Sequence, residues 1–254
     1  MFKIKIDRMN LSQIANSGQC FRWQQINENT YRIPAFGKCL EISQDGDLFS
    51  LSCDENEWHE VWESYFDMNT DYNAVEQIIK RIDDKFLLAA YEFGSGIRIL
   101  KQDLWETIVS FIISQNNNIP RIKKSIEKIC DEFNGNFPDC YDILEMDLSD
   151  KGLGYRDKYL IDATSWWHEQ DGYAASRLKY SKDPKKRLME IKGVGNKVAD
   201  CICLFSLHQL NRFPVDTHIR KILDREYCGE LPAWVHSKYA GLFQQYIFYY
   251  ELNH

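Results

Sequence analysis

Two residues have types and surroundings that suit chemistry better than packing: Lys197 and Asp216. Lys197 follows Gly193-Val194-Gly195 and falls in the first turn of a helix predicted over 197–208. The start of a helix is its positive end and favours Asp or Glu, so a lysine there has the wrong sign for stability. A residue that breaks a local rule is a candidate for function. The positive helix end and partial burial both disfavour the ammonium, and a neutral amine is a nucleophile. Asp216 follows Phe213-Pro214-Val215, which the proline biases toward extended backbone, and it precedes Thr217–Leu223, a run with helical periodicity. The helix from Lys197 carries the chain away by roughly 18 Å at the usual rise. Residues 209–212 turn it, and the extended stretch can lead it back toward the amine. An amine beside a carboxylate suits attack on an electrophilic carbon through a cationic transition state. The plain alternative stays open at this point: a solvated lysine, and an aspartate that only caps a helix.

The elements around them have a purpose consistent with that chemistry. Two glycines around one apolar residue make a tight hairpin between helices. Together with the next helix N-terminus, the hairpin's outward N–H groups form an anion site suited to a phosphate. Upstream, the first 53 residues read as β-rich, with strand-like runs at Phe2–Ile6, Thr30–Phe36, Lys38–Ile42 and Asp47–Cys53. From Glu57 the period becomes helical, with Trp58, Val61, Trp62, Tyr65 and Phe66 on one face. Further helices are predicted near 71–81, 83–91, 103–114, 119–133, 157–169, 185–191, 217–226 and 236–250. Gly94-Ser95-Gly96 is a plausible hinge. The expected organisation is an α+β N-terminal subdomain over 1–95, followed by a helical region over 96–254 that carries the hairpin near 185–208.

Composition limits the alternatives. The chain has 254 residues, 44% hydrophobic and 27% charged, which is ordinary for a globular protein and excludes a wholly disordered chain. No apolar run approaches the roughly 18 residues a membrane span needs. The start, MFKIKIDRMN, lacks the apolar stretch of a secretion signal, so an intracellular protein is expected. The net charge of −7 argues against non-specific affinity for nucleic acid and leaves room for a local basic surface. Eight scattered cysteines in a chain of this length are expected to be reduced. No C-x-x-C pair exists, and Cys201-Ile202-Cys203 is too tight for zinc.

The glycine hairpin, the lysine and the Pro-Val-Asp about twenty residues later together resemble the helix-hairpin-helix DNA glycosylases. GVGNKVADCICL with PVDTH is similar to the 8-oxoguanine DNA glycosylase/AP lyase branch. SGQCFRW at 17–23, SFIISQNNNIPRI at 110–122, LGYRDKYL at 153–160 and YAGLFQQYIF at 239–248 resemble further motifs of that family in the right order. The resemblance implies a mostly helical α+β fold with an N-terminal antiparallel sheet. It also implies an enzyme that extrudes 8-oxoguanine from double-stranded DNA, excises it and nicks the strand, without a cofactor and with no metal held by side chains; a monovalent cation on the hairpin's backbone carbonyls stays open.

Carried over residue by residue, it implies Lys197 as nucleophile and Asp216 as catalytic carboxylate. It makes Gly18 the reader of the damaged base through its carbonyl, and Cys201, Gln244 and Phe248 the pocket. Asn116 would fill the hole left by the extruded nucleotide. Arg121, Tyr155 and Arg156 would hold or wedge against the orphaned cytosine. Gly193 and Gly195 would serve the phosphate-binding hairpin, and His218 would contact a phosphate. A monomer associated with DNA is expected, cytoplasmic if prokaryotic.

The departures are local. The stretch from Phe137 to Gly152 and the link from Leu223 to Trp234 are short for the family, which leaves opposite-base stringency open. Only Cys228 follows Asp216, so the four-cysteine iron–sulfur cluster of some relatives cannot be built. Two rival readings remain. A monofunctional alkyl-base glycosylase would activate water with Asp216 and need no lysine at 197. A non-catalytic DNA-binding module would need neither the Lys197/Asp216 pair nor the Gly18 motif.

Overall fold

The computed structural model describes residues 2–254; residue 1, the first of the expected 1–95 subdomain, lies outside the described residues. The chain forms two compact units. The first holds the chain up to Ile33, residues 39–101 and residues 208–254, and the second holds residues 34–38 and 102–207.

The first unit begins with a five-stranded sheet of order β1-β5-β4-β3-β2. Its strands are β1 (Phe2–Lys5), β2 (Gln24–Asn27), β3 (Thr30–Ala35), β4 (Lys38–Asp45) and β5 (Leu48–Leu51). β1 pairs antiparallel with β5 in the register Phe2↔Leu51 to Lys5↔Leu48. β5 in turn pairs antiparallel with β4, Ile42 facing Leu51. Alternation sets which side is buried: Tyr31, Ile33, Leu40, Ile42, Phe49 and Leu51 all point into the core. Four of the five strands fall on runs expected from the sequence. β2 was not expected, because all four of its residues are exposed and an edge strand of this kind carries no apolar alternation.

Helices α1 (Leu11–Ala15), α2 (Glu55–Glu57), α3 (Glu63–Tyr65), α4 (Tyr72–Arg81) and α5 (Lys85–Gly94) complete this part, with a π turn at Trp58–Trp62 between α2 and α3. The aromatic face seen in the sequence is buried here. Trp58, Trp62, Tyr65 and Phe66 lie in the core, with Trp58 stacked 6.0 Å from Phe66. Trp23 meets Phe66 edge-on, also at 6.0 Å.

The second unit is helical: α6 (Leu104–Ser114), α7 (Ile119–Asp131), α8 (Cys140–Glu145), α9 (Arg156–His168), α10 (Ala174–Lys179), α11 (Pro184–Leu188) and α12 (Asn196–Phe205). Side chains of Asp103, Asn118, Asp139 and Asp183 cap α6, α7, α8 and α11, each satisfying N–H groups that a helix start leaves open. α6 is buried over most of its length and packs on α7, α9 and α12.

The chain then returns to the first unit as α13 (Thr217–Glu226) and α14 (Ala240–Asn253). This return differs from the expected division into 1–95 and 96–254. Its physical cause is α14, whose residues from Ala240 to Ile247 are buried all round. A helix without a polar face needs neighbours on several sides, and α14 finds them on α5 and α13 of the same unit.

Candidate active site

In the second unit the hairpin has the expected form. Gly193 has φ +87°, a region that favours glycine, and a Cβ there would collide with the ring of Tyr159. Gly195 is the N-cap of α12 and offers no side-chain cap to it. Nothing lies within 4 Å of where its Cβ would be. The first-turn N–H groups of a ten-residue helix therefore start beside open space, where an anion can approach them.

Lys197, half-buried, sends its Nζ over the ring of Phe111, 5.4 Å from the centroid. Phe111 stacks on Phe205 at 5.5 Å. The amine is thus held against an aromatic wall, by an attraction that acts on its charged form. Cys201 is buried one helical turn after Lys197 and so on the same face of α12.

The third group in this unit is the loop after α6. Asn116 is exposed and has φ +46°, an uncommon backbone for a residue other than glycine. Arg156 maintains this loop: its Nε donates to Gln115 O at 2.7 Å, and its Nη2 donates to Asn116 O at 2.8 Å. Its Nη1 donates to Leu153 O at 3.0 Å. Arg156 is buried and its guanidinium lies 4.6 Å from the centroid of the Tyr155 ring, which is half-exposed. Arg121 is exposed in the first turn of α7, where its N–H donates to Asn118 Oδ1. Sequence reasoning gave Arg156 an outward role; it could not show that three carbonyls already hold it.

The remaining expected residues lie in the first unit, and three of them meet. Gly18 has φ +76°, and a Cβ on it would stand 2.9 Å from Cε1 of Phe248. The His218 ring packs edge-on against Phe248 at 5.7 Å. Gln244 precedes Phe248 by one turn of α14 and accepts from Gln245 Nε2 at 3.2 Å. Asp216 is the N-cap of α13: its Oδ1 accepts from Ile219 N at 2.8 Å. The capping function read from the sequence is therefore real, and it occupies one oxygen of the carboxylate.

Two residues beside Gly18 were not singled out from the sequence. Gln19 and Ser17 are fully buried. Gln19 donates to Ser17 Oγ (2.8 Å) and Arg98 O (2.9 Å), and accepts from Leu100 N (2.8 Å). These bonds are made by the side-chain amide and anchor the residue that follows the Gly18 carbonyl. Two of the three partners, Arg98 and Leu100, lie about eighty residues away, so no local pattern announces them. Among the described residues no group of three His, Cys, Asp or Glu side chains is placed to hold a metal ion, and no helix is long and apolar enough to cross a membrane.

Residues 1–108 match the 8-oxoguanine DNA glycosylase, N-terminal domain. The structure of MBOgg1 in complex with a low-affinity DNA ligand superposes with a TM-score of 0.90 at 33% identity, covering 99% of this chain and 95% of that one. The chain belongs to the 8-oxoguanine DNA glycosylase/lyase family. The Clostridium acetobutylicum 8-oxoguanine glycosylase/lyase, solved with double-stranded DNA containing cytosine opposite 8-oxoG, gives a TM-score of 0.89 at 31% identity over 100% of this chain and 98% of its own. The N-glycosylase/DNA lyase of Saccharomyces cerevisiae is 28% identical over 85% of this chain and 68% of its own length. This 8-oxoguanine glycosylase/lyase has the expected α+β, mostly helical fold with its sheet at the N-terminus.

Proposed function

We propose that this base-excision N-glycosylase and DNA lyase acts as a monomer, inside the cell, on double-stranded DNA containing 8-oxoguanine, through an imine formed on Lys197. The observation that carries the reading is the half-buried amine of Lys197 at the uncapped start of α12, directly after the glycine hairpin. Backbone N–H groups there suit a phosphate, and an amine one turn from a bound strand is within reach of its sugar.

The target base cannot be reached inside a duplex and is extruded first. The lone pair of the Lys197 amine then forms a bond to C1′. The glycosidic bond breaks, and its electrons leave with the base, which takes up a proton. Positive charge develops on the sugar, and the Asp216 carboxylate stabilises it. The amino sugar opens to a protonated imine. Loss of a C2′ proton expels the 3′ phosphate and nicks the strand. Borohydride reduction of the reacting complex tests this: a covalent protein–DNA adduct is expected. A monofunctional enzyme would release base without an adduct, and a binding module would do neither.

Base recognition follows from Gly18. Guanine N7 is an acceptor, whereas 8-oxoguanine N7 carries a hydrogen and donates. A fixed Gly18 carbonyl accepts from the second and opposes the first; a facing pair of unpaired acceptors costs ~1–3 kcal/mol or more. The buried bonds of Gln19 support this reading by anchoring the residue that follows that carbonyl. 8-Oxoguanine opposite cytosine is expected to be excised at least about tenfold faster than 8-bromoguanine, which is bulky at position 8 but keeps N7 as an acceptor. Equal single-turnover rates would mean that bulk is read instead.

Arg121, Tyr155 and Arg156 are assigned to the orphaned cytosine. Cytosine offers two acceptors, O2 and N3, and arginine can satisfy both. Arg156 has three of its N–H groups on the carbonyls of Gln115, Asn116 and Leu153, which leaves two of a guanidinium's five for a base edge. Arg121 carries no such commitment to the loop. Arg121→Ala, alone and with Arg156→Ala, is expected to narrow the preference for 8-oxoguanine opposite cytosine over adenine. The ratio of excision rates on the two duplexes measures it, at one salt concentration because binding is salt dependent. An unchanged ratio in the double variant would limit the pair to holding backbone.

A further inference from the structure

Asp67 is a carboxylate with no solvent exposure and a backbone φ of +55°. Its Oδ2 accepts from the Tyr72 hydroxyl at 3.0 Å and lies 3.0 Å from His208 Nε2. Its Oδ1 lies 3.4 Å from Lys101 Nζ. Burial pushes the carboxyl up, but His208, Thr70 and Lys101 outweigh it and hold it below the usual carboxylate range. His208 also adopts a left-handed backbone, with φ +53°. Aspartate and histidine are among the non-glycine residues that adopt this backbone most readily, and here both do so at one buried charge. Buried ion pairs add little net stability, whereas an arrangement they enforce is costly to leave.

The place of the cluster indicates what is enforced. Lys101 is the last residue before the chain leaves the first unit, and His208 is the first after it returns. Asp67 therefore grips both ends of the excursion that contains Lys197. From His208 the chain runs to Asp216 with further anchors. Leu210 O accepts from Gly241 N at 2.8 Å, and Arg212 Nε donates to Gln209 Oε1 at 2.7 Å. Phe213 then packs edge-on against Trp234 at 5.7 Å. His208 is the first residue of that series, and its Nε2 lies against the Asp67 carboxylate.

We propose that Asp67 is a positioning residue for base release: by gripping His208 and Lys101 it sets the start of the segment that presents Asp216. It touches no reacting atom and acts only through Asp216, so the inference rests on the role given to Asp216 above.

A double-mutant cycle tests it. Single-turnover base release from the 8-oxoguanine:cytosine duplex is measured for wild type, Asp67→Asn, Asp216→Asn and the double variant, with circular dichroism confirming the fold. Asp67→Asn is expected to slow base release about tenfold in the wild-type background and less than about twofold in the Asp216→Asn background, since residues acting through one another are not additive. Borohydride trapping at a preformed abasic site, which needs Lys197 but no glycosidic cleavage, is expected to stay near wild type in Asp67→Asn; a general loss of structure would lower it too. His208→Asn breaks the same contact from the opposite side and is expected to repeat the pattern, which keeps the test open if Asp67→Asn does not fold. An undiminished loss in the Asp216→Asn background, or full activity in both Asp67→Asn and His208→Asn, overturns the role of Asp67. Full activity of Asp216→Asn by itself overturns the role of Asp216 first, and that result is distinct from the others.

Discussion

Lys197→Gln is expected to remove base release and strand nicking together, while binding of the damaged duplex remains within a few-fold of wild type. Glutamine keeps the length and polarity of the side chain and leaves the hairpin untouched, because Gly193 and Gly195 make the turn and no side chain caps α12. The binding surface is therefore conserved. What is lost is the lone pair. Without it there is no bond to C1′ and no imine, so both chemical steps fail at once. A loss of roughly a thousandfold or more in single-turnover base release, about 4 kcal/mol of activation free energy, is the expected size. Near-normal base release with nicking alone abolished would make water the nucleophile and recast the enzyme as monofunctional.

Asp216→Asn is expected to slow base release by about 10²–10³-fold, the usual size for losing one well-placed electrostatic partner of a transition state. Stability should barely change. The Oδ1 of Asp216 caps α13 by accepting from Ile219 N, and asparagine is as good an N-cap as aspartate. Asp216→Ala removes the cap as well and should cost about 1 kcal/mol in unfolding free energy. The pair of variants separates the two functions of one carboxylate: thermal denaturation reads the cap, and base-release kinetics read the charge. If Asp216→Asn excises at the wild-type rate, the residue does nothing beyond capping α13.

Legibility in the sequence followed the range of the interaction. α13 was expected at 217–226 and runs from Thr217 to Glu226, because a capping aspartate and a clear apolar period are both local. The left-handed turn at Gly193 was legible for the same reason. The short helix α10 was not, since only Ala174 and Leu178 of its six residues are buried. β2 was invisible because nothing in it is buried. The return of α13 and α14 to the first unit was also hidden: it depends on which surface receives an all-round apolar helix, and no local spacing encodes that. The same limit applies inside the site. Lys197, Asp216 and Gly18 carry local signatures, in rule-breaking charge, capping position and glycine turn. The burial of Arg156 against Gln115 and Asn116 does not, nor does the convergence of Lys101 and His208 on Asp67, because each joins residues far apart in the chain.

Base release and strand nicking are assigned to one amine. Reducing the wild-type enzyme with borohydride during turnover on an 8-oxoguanine:cytosine duplex, digesting the adduct and sequencing the modified peptide by mass spectrometry tests this assignment most directly. A sugar remnant on the side-chain nitrogen of Lys197 and on no other amine is expected. A remnant on a neighbouring lysine such as Lys185 or Lys192, or excision with no remnant at all, would contradict the assignment.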